Sequence, residues 1–391
     1  MTLPQPDVLL GGISPEVFLR DYWQKKPLLI RHAFPDLENP LSPDELAGLA
    51  LEEEVDSRIV LTEGATPWEL RRGPFTEDDF KALPERNWTL LVQAVDQFVP
   101  EVADLMKAFS FLPSWRIDDV MISYAAPGGS VGPHYDNYDV FLLQSHGRRR
   151  WMIGQHCDDQ SPLLTHTDLR ILSHFEEQQQ WVLEPGDMLY IPPGVAHHGI
   201  AEDECMTCSI GFRAPSHQEI LLHFTDFLSQ YLGDHQRYSD SGILPAPQPA
   251  AIDDQSIERL QSIVLELVQD KTALATWFGR HMTEPRYPEL IQPQELLPGT
   301  LLDELRNGYG LIRNASTRLA YRLESKDSLL LFASGEHCVL PSTLLSLVQL
   351  ICNHDYIDSE ALLAWQHDDE AYTLLEQLLA KGDLLLEGDD E

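Results

Sequence analysis

Hydrophobic residues follow two different spacings along the chain, and the spacing changes near residue 115. From Trp115 to about Ala214, short apolar runs alternate with Gly and Pro turns, as in DVFLLQ, RRRWMIG and MTCSIGFRAP. Short strands at regular intervals, without helices between them, are typical of a jelly roll or barrel. This part of the sequence therefore predicts a β-sheet domain of that kind.

Helical patterns occur on either side of this segment, and the first third of the chain mixes them with short strand patterns. SPEVFLRDYWQKKPLLIRHAF predicts an amphipathic helix that runs into an apolar strand, Pro27 to Ile30. SHQEILLHFTDFLSQYLG predicts a second helix. After a linker rich in Pro, Gly and Ser, SIERLQSIVLELVQDKTALATWFGRHM resumes a helical pattern with one apolar face, formed by Leu260, Ile263, Val264, Leu267 and Val268. This face is either a dimer surface or packs against its own domain.

The last hundred residues predict helices combined with a small sheet. Strands are expected in GLIRNA, RLAYRLE and SLLLFA, and DLLLEG ends the pattern. Helices are expected at Glu295 to Arg306, Ser342 to Cys352, Ser359 to Trp365 and Ala371 to Lys381. This arrangement resembles a winged helix.

The predicted fold class is α+β, in three parts. Residues 1–214 form the jelly-roll domain with helical and strand elements before it, 215–290 form a helical linker and dimerisation segment, and 291–391 form the winged-helix-like domain. The sequence has no run of apolar residues long enough to span a membrane and no secretory leader pattern, so we expect a cytoplasmic protein. Five scattered cysteines, including one isolated C-x-x-C at Cys205 and Cys208, fit a reducing compartment.

The charge balance is strongly acidic. The chain has 63 acidic and 27 basic residues, a formal net charge of -36, and residues 295–391 alone have 18 acidic and 6 basic side chains. Nucleic-acid binding is therefore disfavoured, because it depends on Lys and Arg that neutralise phosphates. The acidity either serves solubility or steers a cationic partner, such as a basic protein, towards a site.

Candidate chemistry begins at His134 and Asp136 in GPHYDNYD. Residues at i and i+2 of a strand point the same way, so this imidazole and this carboxylate converge. A second histidine would complete the two-histidine, one-carboxylate set that binds Fe(II) with open coordination positions. EPGDMLYIPPGVAHHG supplies the candidates, because a strand and a Pro-Pro-Gly turn would present His197 or His198 at a strand edge.

These segments together resemble the JmjC-type, cupin-fold 2-oxoglutarate oxygenases, most closely the bacterial ribosomal oxygenases that hydroxylate an arginine of ribosomal protein L sixteen. The resemblance rests on YWQKKPLLIR, RIDDVMISYAAPGGSVGPHYDNYDVFLLQSHGRRRW, EPGDMLYIPPGVAHHG and SIGFRAPS. It implies a double-stranded β-helix (jelly roll, cupin/JmjC) catalytic domain that uses Fe(II), 2-oxoglutarate and O2. It also implies that His134, Asp136 and His197 are the iron ligands.

The run Arg148, Arg149 and Arg150 gains a role from this resemblance. The distal carboxylate of 2-oxoglutarate needs a buried cation, and a guanidinium fork matches a carboxylate well. Arg148 and Arg150 share one face of a strand, so Arg149 is the predicted inward residue and also occupies the family's position. The family further suggests Ser123 as a second contact, whereas Thr207 stands where relatives have an amide, which puts a contact there in doubt.

The substrate-binding residues are less evident in the sequence. An arginine side chain that enters the site needs carboxylates or aromatic faces, and Asp119 and Tyr138 are our candidates. The expected function is thus Fe(II)- and 2-oxoglutarate-dependent hydroxylation of an arginine in a basic, large-subunit ribosomal protein. Two alternatives stay open at this point: a demethylase of a basic protein with the same cofactors, and a metal-binding cupin that regulates without catalysis.

Overall fold

The computed structural model describes residues 3–63, 67–245, 248–294 and 299–387. The chain divides into two compact units, Met1–Ala214 and Pro215–Glu391. The finer division of the second unit after residue 290 stays a prediction. Within the described ranges, no helix is long and apolar enough to cross a membrane.

In its described residues, the first unit combines five short α-helices with eleven strands. Several helices begin at side-chain caps; Ser42 and Glu45, for example, form a reciprocal capping box. The helices are α1 (Pro6–Leu9), α2 (Pro15–Asp21), α3 (Pro43–Leu49), α4 (Glu77–Lys81) and α5 (Pro100–Lys107). The strands are β1 (Leu28–Ile30), β2 (Ser57–Glu63), β3 (Pro67–Arg72), β4 (Trp88–Val92), β5 (Ile117–Ala125), β6 (Val140–His146), β7 (Arg149–His156), β8 (Gln179–Leu183), β9 (Met188–Ile191), β10 (Val195–Ala201) and β11 (Cys205–Phe212).

These strands form two antiparallel sheets that face each other. The larger sheet has the order β1-β9-β6-β11-β5-β4-β2-β3, and the smaller has the order β10-β7-β8. Leu142 of the larger sheet and Trp151 of the smaller belong to one apolar cluster between them. The predicted jelly roll is confirmed, and the strands predicted in DVFLLQ, RRRWMIG and MTCSIGFRAP are present. The strand expected at His134 and Asp136 is not, because His134 forms an isolated bridge to His197 and Asp136 lies outside any strand. Strands β2 to β4, which extend the larger sheet, were not assigned from the sequence.

Alternation along the strands separates two kinds of environment. In β6, Phe141 and Leu143 pack with the helices on the outer face of the larger sheet, whereas Val140 and Leu142 point between the sheets. Further along the inner face, polar residues replace apolar ones and yet stay buried: Ser123, Gln144, Arg149 and Thr207 are each at most 4% exposed. Buried polar groups without a structural partner are costly, so this end of the barrel is the place to look for a function.

The second unit contains three helices followed by a mixed module. Its helices are α6 (His217–Ser229), α7 (Asp254–Val268), α8 (Lys271–Thr283), α9 (Thr300–Asn307), α10 (Leu345–Asn353), α11 (Ser359–Leu363) and α12 (Asp369–Lys381). Its strands are β12 (Leu311–Arg313), β13 (Leu319–Leu323), β14 (Ser328–Ala333), β15 (Glu336–Pro341), β16 (Tyr356–Ile357) and β17 (Leu384–Leu386). They form two three-stranded sheets, β16-β12-β17 and β13-β14-β15.

Two details of this unit differ from the sequence prediction. The continuous helical pattern from Ser256 to Met282 is broken, because the carboxylate of Asp270 accepts hydrogen bonds from the backbone N–H groups of Thr272 and Ala273 and starts a new helix. Strands β15 and β16 were also not predicted. The first residues of the helix expected from Glu295 lie outside the described residues, and the described helix α9 starts at Thr300.

Candidate metal centre and its surroundings

A backbone bridge holds His134 and His197 opposite each other. The N–H of His134 donates to the carbonyl of His197 at 3.0 Å, and the N–H of His197 donates to the carbonyl of His134 at 2.8 Å. The centres of the two rings lie 4.3 Å apart at an interplanar angle of 60°. Because the backbone pairing is reciprocal, it holds the main chains of the two residues opposite each other independently of any ligand.

Asp136 completes a cluster with these two histidines. Its carboxylate oxygen Oδ2 lies 3.6 Å from Nε2 of His197, and one ligand atom from each of the three residues lies within 4.8 Å of the others. The backbone carbonyl of Asp136 accepts a hydrogen bond from the N–H of Gly194, in the Pro-Pro-Gly turn that precedes β10. Two distant segments thus meet at the mouth of the barrel and bring the three predicted ligands together.

The tautomers of both histidines suit metal binding. Nδ1 of His134 lies 2.9 Å from the carbonyl oxygen of Gly132, and Nδ1 of His197 lies 3.0 Å from that of Val195. A carbonyl only accepts hydrogen bonds, so each Nδ1 faces its carbonyl as a donor and each Nε2 is the ring atom left to bind a metal. Burial, with the nearby charge of His134 as the next cause, lowers the pKa of His197 to about 4, so this ring is neutral at physiological pH.

His198, the alternative third ligand, points away from the cluster. Strand alternation places it on the opposite face of β10 from His197. Its Nε2 lies 3.0 Å from the hydroxyl of Ser130, and its ring packs edge-on against Phe175. The geometry therefore brings His197, and not His198, next to Asp136.

Arg149 is the inward-facing member of the arginine run. It is 2% exposed, and its Nη1 donates to the hydroxyls of Ser123 at 3.0 Å and Thr207 at 3.4 Å. By contrast, Arg148 and Arg150 are partly exposed and form ion pairs with acidic residues of the loop between β10 and β11. Among the described residues no carboxylate pairs with Arg149, and burial lowers the pKa of its guanidinium.

The inner faces of β7 and β10 connect this guanidinium to the cluster. Ile153 pairs with His197, Trp151 with Gly199 and Arg149 with Ala201, so all six residues lie on one continuous surface. Gly199 makes room there, because a Cβ atom at this position would lie 2.7 Å from the ring of Trp151 and 3.0 Å from Nε of Arg149. Nε of Arg149 is buried without a hydrogen-bond partner among the described residues.

Two residues near this site were not expected from the sequence. Thr207 contacts Arg149 directly, although the sequence left a role for it in doubt. Gln144 was not considered at all, yet its Oε1 accepts a hydrogen bond from the hydroxyl of Thr207 at 3.1 Å. Its inward position could have been read from the alternation in VFLLQ, where Gln144 follows Val140 and Leu142 on one face.

The predicted substrate residues lie on another side of the cluster. Asp119 is 4% exposed, and its Oδ2 accepts hydrogen bonds from Nε2 of Gln93 at 2.6 Å and from the backbone N–H of Ala94 at 3.0 Å. Tyr138 is 43% exposed, but desolvation of its hydroxyl and then the nearby carboxylates of Asp136 and Asp119 raise its pKa. A phenol and two carboxylates therefore lie close together beside the candidate metal ligands.

A jelly roll with two histidines and a carboxylate at its mouth is the architecture of the JmjC-domain class of metal-dependent oxygenases. The family model described as JmjC domain matches residues 104–220, which contain the whole cluster. A second model, described as ROXA-like winged helix, matches residues 266–384.

Known proteins identify the family within this class. The chain is 42% identical over 310 residues to the ribosomal protein uL16 3-hydroxylase of Escherichia coli, and the alignment covers 77% of this chain and 80% of that protein. It is 35% identical to a "Probable ribosomal oxygenase" of Haemophilus influenzae, over 83% of this chain and 82% of that protein. The structure of YcfD, a ribosomal oxygenase from Escherichia coli in complex with cobalt and 2-oxoglutarate, superimposes with a TM-score of 0.85 at 36% identity, over 96% of this chain and 99% of that one. The chain belongs to the ribosomal oxygenase family.

Proposed function

We propose that this chain is an Fe(II)- and 2-oxoglutarate-dependent dioxygenase that hydroxylates an arginine side chain of the large-subunit ribosomal protein uL16. The observation that carries the proposal is the buried Arg149, which has no carboxylate partner in the described parts of the chain and shares an inner surface with His197. A buried cation requires an anion. A dicarboxylate that also reaches a metal would supply that anion.

The donor set fits Fe(II). His134 and His197 would each contribute Nε2 and Asp136 a carboxylate oxygen, which leaves coordination positions for other ligands. When bound, iron supplies the oxidation chemistry that couples loss of carbon dioxide from 2-oxoglutarate to transfer of an oxygen atom from O2 to the substrate. The protein contributes the backbone pairing that holds the two histidines opposite each other and the two carbonyls that orient their rings.

Arg149 and Ser123 would hold the co-substrate. The guanidinium offers a planar set of N–H donors that suits the distal carboxylate of 2-oxoglutarate. The hydroxyl of Ser123 accepts from Nη1 of Arg149, so its own proton is available for the same carboxylate. The unpartnered Nε of Arg149 supports this assignment, because a buried donor is expected to have a partner in the functional complex.

Asp119 and Tyr138 would receive the substrate arginine. A guanidinium is recognised by carboxylates and aromatic faces, and Tyr138 lies close to both Asp119 and the proposed metal ligand Asp136. The name of the Escherichia coli relative specifies uL16, which supports that protein as the substrate of this chain. The net charge of -36 is consistent with electrostatic attraction of a basic ribosomal protein.

Mass spectrometry of uL16 tests this function directly. The protein would be incubated with uL16, Fe(II) and 2-oxoglutarate, and we expect one arginine to gain a single oxygen atom. Reactions without 2-oxoglutarate, and with Asp136→Ala, should leave uL16 unmodified. Loss of a methyl group from a methylated substrate would instead indicate a demethylase, and absence of any turnover with intact metal binding would favour a regulatory cupin.

We further propose that the protein acts in the cytoplasm as a homodimer that contacts protein and not nucleic acid. Helix α7, which is fully described, has no buried residue, and its apolar stripe includes Ile257, Leu260 and Val264, each at least half exposed. Leu260→Asp should convert a dimer into a monomer in light scattering. Ser262→Asp, on the opposite face of α7, is the matched control and should leave the mass unchanged.

A further inference from the structure

One row of side chains crosses three strands of the larger sheet inside the barrel. Ser123 of β5 pairs with Thr207 of β11, and Thr207 pairs with Gln144 of β6. The register between β11 and β6 shifts between Met206 and Thr207, so Ser145 is the extra residue of a β-bulge. All three members of the row are buried and point inward, where Arg149 approaches them from the other sheet.

The amide of Gln144 has only one orientation in this row. Its Nε2 donates to the backbone carbonyl of His146 at 2.8 Å and lies 3.4 Å from that of Gly147. Since these carbonyls only accept, the nitrogen must face them and Oε1 must face Thr207. The hydroxyl of Thr207 therefore donates to Gln144, and its lone pairs are turned towards Nη1 of Arg149.

The turn that supplies these carbonyls is itself fixed. Gly147 has φ of 58°, and a Cβ atom at this position would lie 2.0 Å from the carbonyl oxygen of Glu204. Only glycine fits, because other residues would be strained and would clash with the backbone. The same turn ends β6 and begins β7, so it sets the position of Gln144 and of Arg149 together.

The direction of these bonds decides which edge of Arg149 meets a ligand. Nη1 donates to the hydroxyls of both Ser123 and Thr207. The remaining donors are on the Nε and Nη2 edge; Nε has no partner, and Gly199 leaves this edge uncrowded. We propose that Gln144 is a positioning residue, which acts through Thr207 to present this edge of Arg149 to the distal carboxylate of 2-oxoglutarate.

This inference rests on the proposed function, so its test must distinguish a failure of the role of Gln144 from a failure of the proposed function. Dissociation constants for 2-oxoglutarate would be measured by calorimetry on the full chain loaded with Mn(II), and the affinity for Mn(II) itself would be measured separately. Gln144→Leu should raise the dissociation constant for 2-oxoglutarate about threefold to tenfold, which corresponds to the loss of one hydrogen bond. The affinity for Mn(II) should stay unchanged. Gln180→Leu, an exposed glutamine on β8, is the matched control.

Thr207 provides the decisive comparison, because Thr207→Ser keeps the hydroxyl and Thr207→Val removes it. We expect Thr207→Val to weaken 2-oxoglutarate binding as much as Gln144→Leu does. Thr207→Ser should bind 2-oxoglutarate nearly as well as the wild type. The double variant Gln144→Leu/Thr207→Val should show no loss of affinity beyond that of either single variant. Additive losses would overturn the relay through Thr207. If Gln144→Leu does not fold, equal affinities of Thr207→Val and Thr207→Ser would overturn it instead. Failure of the wild type to bind 2-oxoglutarate would refute the proposed function.

Discussion

Gly199→Ala should damage the co-substrate site although it replaces no residue assigned to bind a ligand. The added Cβ would lie 2.7 Å from the ring of Trp151, well inside ordinary contact, and 3.0 Å from Nε of Arg149. Overpacking of this kind costs about 1–3 kcal/mol. We expect Arg149 and Trp151 to shift, because the neighbouring strands are fixed by backbone pairing. If the full cost falls on ligand binding, affinity for 2-oxoglutarate drops about fivefold to 150-fold.

Two measurements show whether the free-energy cost of overpacking lowers ligand affinity or protein stability. Calorimetric titration of the Mn(II)-loaded variant gives the affinity for 2-oxoglutarate, and chemical denaturation of the same variant gives its free energy of unfolding. Gly211→Ala is the matched control, since its nearest atom, Oδ1 of Asp119, would be 3.6 Å away. A Gly199→Ala protein with both wild-type stability and wild-type affinity for 2-oxoglutarate would show that our account of this surface is wrong.

Three further predictions concern the metal, the co-substrate and the partner. Asp136→Ala should abolish 2-oxoglutarate turnover with the fold retained by circular dichroism, whereas His198→Ala should keep Mn(II) affinity; the reverse pattern would contradict the assigned ligands. Arg149→Lys keeps a charge but loses the bidentate fork, so the KM for 2-oxoglutarate should rise, while Arg148→Ala should leave it unchanged. Association with uL16 should weaken as ionic strength passes roughly 0.1 M, where the Debye length is about 10 Å, and salt-insensitive association or tight DNA binding would argue against electrostatic steering.

The sequence was most informative where chemistry and strand periodicity coincide. Alternation separates Arg149 from its two neighbours in the run, which must share the other face of β7, and the family resemblance indicates that Arg149 is the inward residue. The spacing of His134 and Asp136 anticipates that their side chains converge, although the two residues lie in no regular strand and only His134 forms an isolated bridge. Their meeting with His197 was harder to predict, since it depends on a bridge between segments far apart in the chain.

What the sequence did not reveal depends on local departures from regular structure. The bulge at Ser145 places Gln144 opposite Thr207, and the sequence DVFLLQSHG gives no sign of an extra residue in the pairing of β6 with β11. The helix break at Asp270 was missed because apolar periodicity continues across it, although the carboxylate is a recognisable cap. The roles of Asp119 and Tyr138 depend on which surface of the protein the substrate covers, and the sequence of the enzyme alone does not contain that information.

The reciprocal bridge between His134 and His197 also links metal affinity to folding. The two ligands are brought together only when β10 and the segment before β6 have paired, so an unfolded chain has no preformed site. A metal that binds only the native state stabilises it in proportion to the logarithm of the metal concentration above its Kd. Thermal unfolding should therefore shift to higher temperature as Mn(II) is added, and the mouth of the barrel should gain the most protection from hydrogen exchange. Metal supply would then govern how long the enzyme survives as well as how fast it works.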